Sequence, residues 1–138
     1  MEQFKSNVKV VSASSDSVYE ELADLKNFEK LTSRLDEDKR GDIVFEDEIV
    51  KLKTTMGDVS FKIEERTPGK CVKYTSVDSP IPLKMWVQVL PLEEEKCKML
   101  VTLGVGLNSF MVRMVRKPLE EGVEKVADVL SQIPYNEI

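Results

Sequence analysis

Proton transfer at neutral pH most often falls to histidine, and this chain has none. That rules out Ser-His and Cys-His nucleophile pairs and the commonest ligand of catalytic zinc and iron. The groups left for acid–base work are tyrosine, two cysteines, carboxylates and arginines. Tyr74, in the run "KCVKYTSV", offers a hydroxyl to an otherwise apolar guest. The plainer reading is a core tyrosine with its tip in water. Glu93, Glu94 and Glu95 crowd between two strand-like runs and read as a solvated hairpin tip. "RLDEDKRGD" lacks the calcium-loop spacing and its closing Glu. "ERTPGK" has a Pro-Gly turn but no phosphate-cradling spacing, and no helix follows it. Arg113, Arg116 and Lys117 form a basic group that would draw an anionic head group if it stood at a pocket mouth. Otherwise it is a solvated helix face. No catalytic or metal-binding set emerges and no cofactor is expected, so the residues favour a binding protein over an enzyme.

The elements that would position these residues follow from composition and period. At 138 residues the chain fits one domain, 1–138, large enough to bury a core without a metal or disulfide staple. With 41% hydrophobic and 33% charged residues it is too apolar for disorder. A net charge of -5 argues against nucleic acid, and more weakly against anionic membrane surfaces. No apolar run is long enough for a stable membrane span, and the opening "MEQFKSNVKV" lacks a signal-peptide core. A cytoplasmic protein with reduced Cys71 and Cys97 is expected.

"FKSNVKVV" alternates, with Phe4, Ser6, Val8 and Val10 on the face expected to be buried. A helix follows, opened by Ser14 or Ser15 with Asp16 near its positive end, and Val18, Leu22 and Leu25 on one side. Asp24 is expected to cap a second short helix with Phe28, Leu31 and Leu35 inward. From 42 to 107 the period is two, broken by turn-formers at Gly57-Asp58, "TPGK", "SPIP" and "LEEEK". Short separators predict antiparallel hairpins. Met85, Val87 and Val89 share an apolar face opposite Lys84, Trp86 and Gln88. Trp86 therefore falls on the outer face, where it would mark a partner surface or simply be an exposed aromatic.

The last segment predicts a long helix from an Asn108 cap to about Ile133. Met111, Val115, Pro118, Leu119, Gly122, Val123, Val126, Val129, Leu130 and Ile133 lie on one broad side, as for a helix lying on a sheet. Pro118 and Gly122 weaken it, by about 3 and about 1 kcal/mol in a helix interior. One reading is that Pro118 kinks the helix and Gly122 leaves a hollow on its sheet-facing side. The other is that Pro118 starts a second helical segment and Gly122 permits tight helix–sheet contact. Met56, Met85, Met99, Met111 and Met114 fall on expected inward positions. Flexible thioethers there suit either a varied apolar guest or an irregular core.

The order of strand, two short helices, six strands and a long helix resembles the START-like, polyketide-cyclase-like (SRPBCC) superfamily. The likeness is carried by "VKVVSASSDSVYEELADLKNFEKL" at the front and "LNSFMVRMVRKPLEEGVEKVADVL" at the back. "SSDSVYEEL" stands where the family often has an Ala-Pro entry. The resemblance implies an α+β helix-grip fold, in which a curved antiparallel seven-stranded sheet wraps a long C-terminal helix and two short helices follow strand 1. It also implies a cavity between sheet and helix for an apolar or amphipathic molecule such as a lipid or polyketide. Its walls would be Met56, Phe61, Ile63 and Tyr74, then Met85, Val87, Met99, Val101 and Leu103, all from the strands. The helix would add Phe110, Met111, Met114, Val115, Leu119 and Gly122. The family strand order separates Cys71 from Cys97 by one strand, beyond the reach of a disulfide. The alternatives are a cyclase- or aromatase-like enzyme, which needs an inward acid–base pair, and a protein-interaction module on the outer sheet face. The sequence identifies no protein partner.

Overall fold

The computed structural model describes residues 1–26, 30, 43–46, 48–54, 57–77, 79, 81–133 and 135. In chain order these form β1 (Glu2–Lys5), β2 (Lys9–Val11), α1 (Ser15–Leu22), β3 (Ile43–Glu46), β4 (Ile49–Thr54) and β5 (Gly57–Thr67). Then come β6 (Cys71–Val77), β7 (Leu83–Glu93), β8 (Lys96–Val105) and α2 (Ser109–Ser131). The sheet is antiparallel in the order β1-β8-β7-β6-β5-β4-β3, with β2 also paired to β8. β1 and β2 are two halves of one strand, which leaves seven strands around a long C-terminal helix. This is the α+β helix-grip architecture. A second helical turn opens at Leu25, where Asp24 Oδ1 accepts from the Lys26 amide at 3.0 Å. Phe28, Leu31, Leu35 and Met56 lie outside the described residues.

The split of the first strand corrects one expectation. Lys5 pairs with Thr102 but Lys9 pairs with Met99, so the first strand carries one extra residue. Such a bulge reverses the pleat. Phe4 and Ser6 point inward as expected, but Val8 and Val10 are exposed, and Val11 is buried in their place. Ser6 secures the bulge. Its Oγ accepts from the Val101 amide at 3.1 Å and donates to the Asn7 carbonyl at 2.9 Å. Further register shifts occur at Glu64 and Leu92. Bulges bend a strand and help a sheet curve.

α1 and α2 start at the expected caps. Ser14 Oγ accepts from the Ser17 amide and Asn108 Oδ1 from the Met111 amide. α1 ends against the sheet. Its terminal carbonyls lack partners within the helix, and two strand side chains supply them. Tyr74 Oη donates to the Leu22 carbonyl at 2.7 Å, and Arg66 Nε donates to the Ala23 carbonyl at 3.0 Å. Tyr74 is therefore a core tyrosine whose tip is bonded inside the protein, contrary to the expectation of a tip in water. Burial pushes its phenol well above the usual value. Tyr74→Phe is expected to cost about 1–2 kcal/mol, because the buried Leu22 carbonyl loses its donor. Denaturant unfolding would show a lowered midpoint at unchanged slope.

α2 is one continuous helix with Pro118 inside it, so Pro118 does not begin a second segment. It packs on β8, β1 and β2. Its buried stripe is Val112, Leu119, Val123, Ala127 and Leu130. Lys9 on β2 fastens the contact through ion pairs to Glu124 and Asp128, the latter at 2.7 Å. Glu124 Oε1 also accepts from the Asn7 amide at 2.6 Å. The Asn7 amide and then Lys9 hold the Glu124 carboxyl below the ordinary carboxylate range. A depressed acid stabilises the fold above its unfolded pKa, and that contribution disappears as pH falls through the folded value. Acid melts of Glu124→Gln are expected to flatten relative to the parent below about pH 4.5. These charges are partly exposed, so the effect is small.

Candidate functional site

A recess lies between α2 and the strands beyond those it leans on. Val126 and Leu130 on α2 face Val50 and Leu52 on β4, Tyr74 on β6, and Met85 and Val87 on β7. Leu22 and Leu25 close one end. The recess measures about 330 Å³ when its part open to solvent is included. The cavity volume that can hold a small molecule is about 20 Å³, room for roughly one water molecule. The hollow expected from the sequence is thus small in this structure, its lining side chains leaving room for little more than one water molecule.

Gly122 stands one helical turn before Val126 on the same side of α2. A Cβ built there meets nothing within 4 Å among the described residues. Among the described residues, then, no close helix–sheet contact requires the glycine, and the space at its Cβ position is open.

The walls named from sequence divide into three groups. Tyr74, Met85 and Val87 line the recess. Phe61, Met99, Val101 and Leu119 are buried in the core, with Ile63, Leu103 and Val115 half-buried against it. Met99 and Val101 are fully covered, on the strand where α2 packs. Phe110, Met111 and Met114 are corrected outright, being 72%, 46% and 74% exposed. The broad apolar side of α2 concealed a narrower buried stripe, and Val112 lies on it where Met111 was expected to. Sequence reasoning also missed Val50 and Leu52, as well as Tyr135, buried with its Oη donating to the Leu130 carbonyl at 2.8 Å. For Val50 and Leu52 the alternation of β4 was the available signal. Nothing in the sequence marked Tyr135.

The site's polar chemistry is sparse. Among the described residues lining the recess only Tyr74 carries a polar side-chain atom, and its proton is already given to Leu22. Glu21 is a buried carboxylate on α1, raised above its usual range first by desolvation and then by Asp24 and Glu20. It does not line the recess. Burial likewise raises the Cys97 and Cys71 thiols, and both cysteines are free. On the outer face Trp86 is half-buried, with Lys73 Nζ 5.5 Å from its ring centroid. Lys84 beside it is bound to Glu64 at 2.9 Å. Trp86 is built into the sheet surface rather than standing free.

Comparison with known proteins bears on the fold. No protein-family profile and no curated protein matches the sequence. Solved structures do match. Norcoclaurine synthase from Thalictrum flavum, in complex with dopamine and hydroxybenzaldehyde, is similar over 99% of this chain and 88% of its own, with 12% identity and a TM-score of 0.69. TTHA0849 from Thermus thermophilus is similar over 95% of both chains, with 15% identity and a TM-score of 0.67. A START superfamily protein from Mycobacterium smegmatis is similar over 94% of both chains, with 12% identity and a TM-score of 0.63. At such identities the likeness concerns backbone architecture alone, and on that ground the chain has a START-like, helix-grip fold.

Proposed function

We propose that the protein binds an apolar or amphipathic small molecule, such as a lipid or polyketide, in the groove between α2 and β4–β7, as a carrier or sensor. The observation that carries this reading is the open space at Gly122 beside apolar walls. A helix bears the roughly 1 kcal/mol weakening of a central glycine, and no packing contact among the described residues explains it. Removal of apolar surface from water would drive binding at roughly 25 cal/mol per Å². The recess as it stands holds about one water, so a guest would have to displace flexible walls such as Met85 to be seated. The two free thiols support a reducing, cytoplasmic setting. A cyclase-like activity would need an inward acid–base pair, and the one lining hydroxyl among the described residues is already bonded to a backbone carbonyl.

The test is a thermal-shift screen of small aromatic and lipid-like compounds. The norcoclaurine synthase complex makes small aromatics a sensible first class. A true ligand at a hundred times its dissociation constant should stabilise the fold by about 2.7 kcal/mol. If no compound in either class shifts the melt, the reading fails.

A further inference from the structure

We propose that the first turns of α2 dock on an anionic lipid surface, with Phe110 and Met114 entering the interface. Phe110, Met111 and Met114 are large apolar side chains left in water. With half-buried Pro118 they follow helical spacing along the side of α2 turned away from buried Val112 and Leu119. Arg113 and Lys117 flank them. Among the described residues neither enters an ion pair. Arg116, by contrast, lies 5.4 Å over the Phe4 ring and 3.6 Å from Glu120. The segment 109–119 has three basic residues and no acidic one, in a chain whose net charge is -5. The net charge, which disfavours anionic surfaces overall, is therefore reversed locally.

This combination fits a lipid surface better than a protein. An apolar helix face flanked by cations lies in the headgroup region, burying the apolar side chains while the cations meet lipid phosphates. The stems of Arg113 and Lys117 can lie along the apolar boundary with their charges at its edge. No helix among the described residues is long and apolar enough to cross a membrane, so the association is peripheral. It does not rest on the groove holding a guest.

Vesicle flotation tests this, using phosphatidylcholine alone and phosphatidylcholine with about one third phosphatidylglycerol. The parent protein should float with the anionic vesicles, less so as salt rises, and remain behind with phosphatidylcholine. Phe110→Ser with Met114→Ser should lower partitioning by at least about tenfold. Arg113→Gln with Lys117→Gln should lower it by roughly thirtyfold on anionic vesicles. All four positions are exposed, so unchanged melts would show that the variants fold. Absence of flotation of the parent on anionic vesicles overturns the proposal, as does flotation that neither double variant alters. Self-association in sedimentation, lost in the Phe110→Ser, Met114→Ser variant without any vesicle binding, also overturns it and assigns the patch to a second copy.

Discussion

Gly122→Leu is expected to weaken binding of an apolar guest by about ten- to two-hundredfold, the scale of misplacing a methylene or two in an apolar pocket. Stability should hardly fall. The substituted Cβ meets nothing within 4 Å among the described residues. Leucine also has a better helix propensity than glycine, by up to about 1 kcal/mol. These two terms favour folding, while the added isobutyl group takes the space a guest would use. Gly122→Ala separates them, because it gains most of the helix propensity and adds only one carbon. Its melting temperature should rise, with affinity close to that of the parent. Fluorescent-probe titration beside thermal melts checks both. A Gly122→Leu protein that unfolds would show that the helix needs a close approach at this residue, and the groove would have no role.

Gly104→Ala should destabilise the fold by up to about 3 kcal/mol, through overpacking against a rigid ring. Gly104 lies beside Trp86 on the outer face, where its Cβ would come within 2.9 Å of Trp86 Cζ3 and 3.2 Å of Cη2. Met1 Sδ, also at 3.2 Å, can swing away, but the indole cannot easily do so. It is pinned between its own strand and Lys73. Calorimetry should show a fall of several degrees in Tm, since each kcal/mol moves a domain of this size by about 2–5 °C. Trp86→Leu combined with Gly104→Ala should recover much of the loss, as expected when two touching residues are coupled. Simple addition of the two single effects would show that the ring is not the obstacle.

The strands were legible because a half-buried strand alternates. β4 to β8 appear where the period of two predicted them, and the assignment of Met85, Val87 and Val89 to the inner face holds. Val8 and Val10 failed for a local reason, a bulge at Ser6–Val8, whose extra residue leaves the apolar pattern unbroken while reversing its direction. The misplacement of Phe110, Met111 and Met114 has a different cause. More than half of α2's circumference is apolar near its start, and period alone cannot say which part meets the sheet. The choice is made by β8, β1 and β2, which take Val112 and Leu119. Tyr74 was recognised as a core residue, but its partner is a carbonyl 52 positions away in sequence, and no local pattern encodes it. A recess between sheet and helix was suggested by the family resemblance and by Pro118 and Gly122, two residues whose weakness for a helix needed an explanation.

Native mass spectrometry of the protein purified from its own cells, followed by solvent extraction, tests most directly whether α2 leaves room for a guest. The expected spectrum carries one apolar or amphipathic compound per chain, released on extraction and missing from Gly122→Leu. A bare mass for the parent, together with no thermal shift from any aromatic or lipid-like compound, would contradict the account.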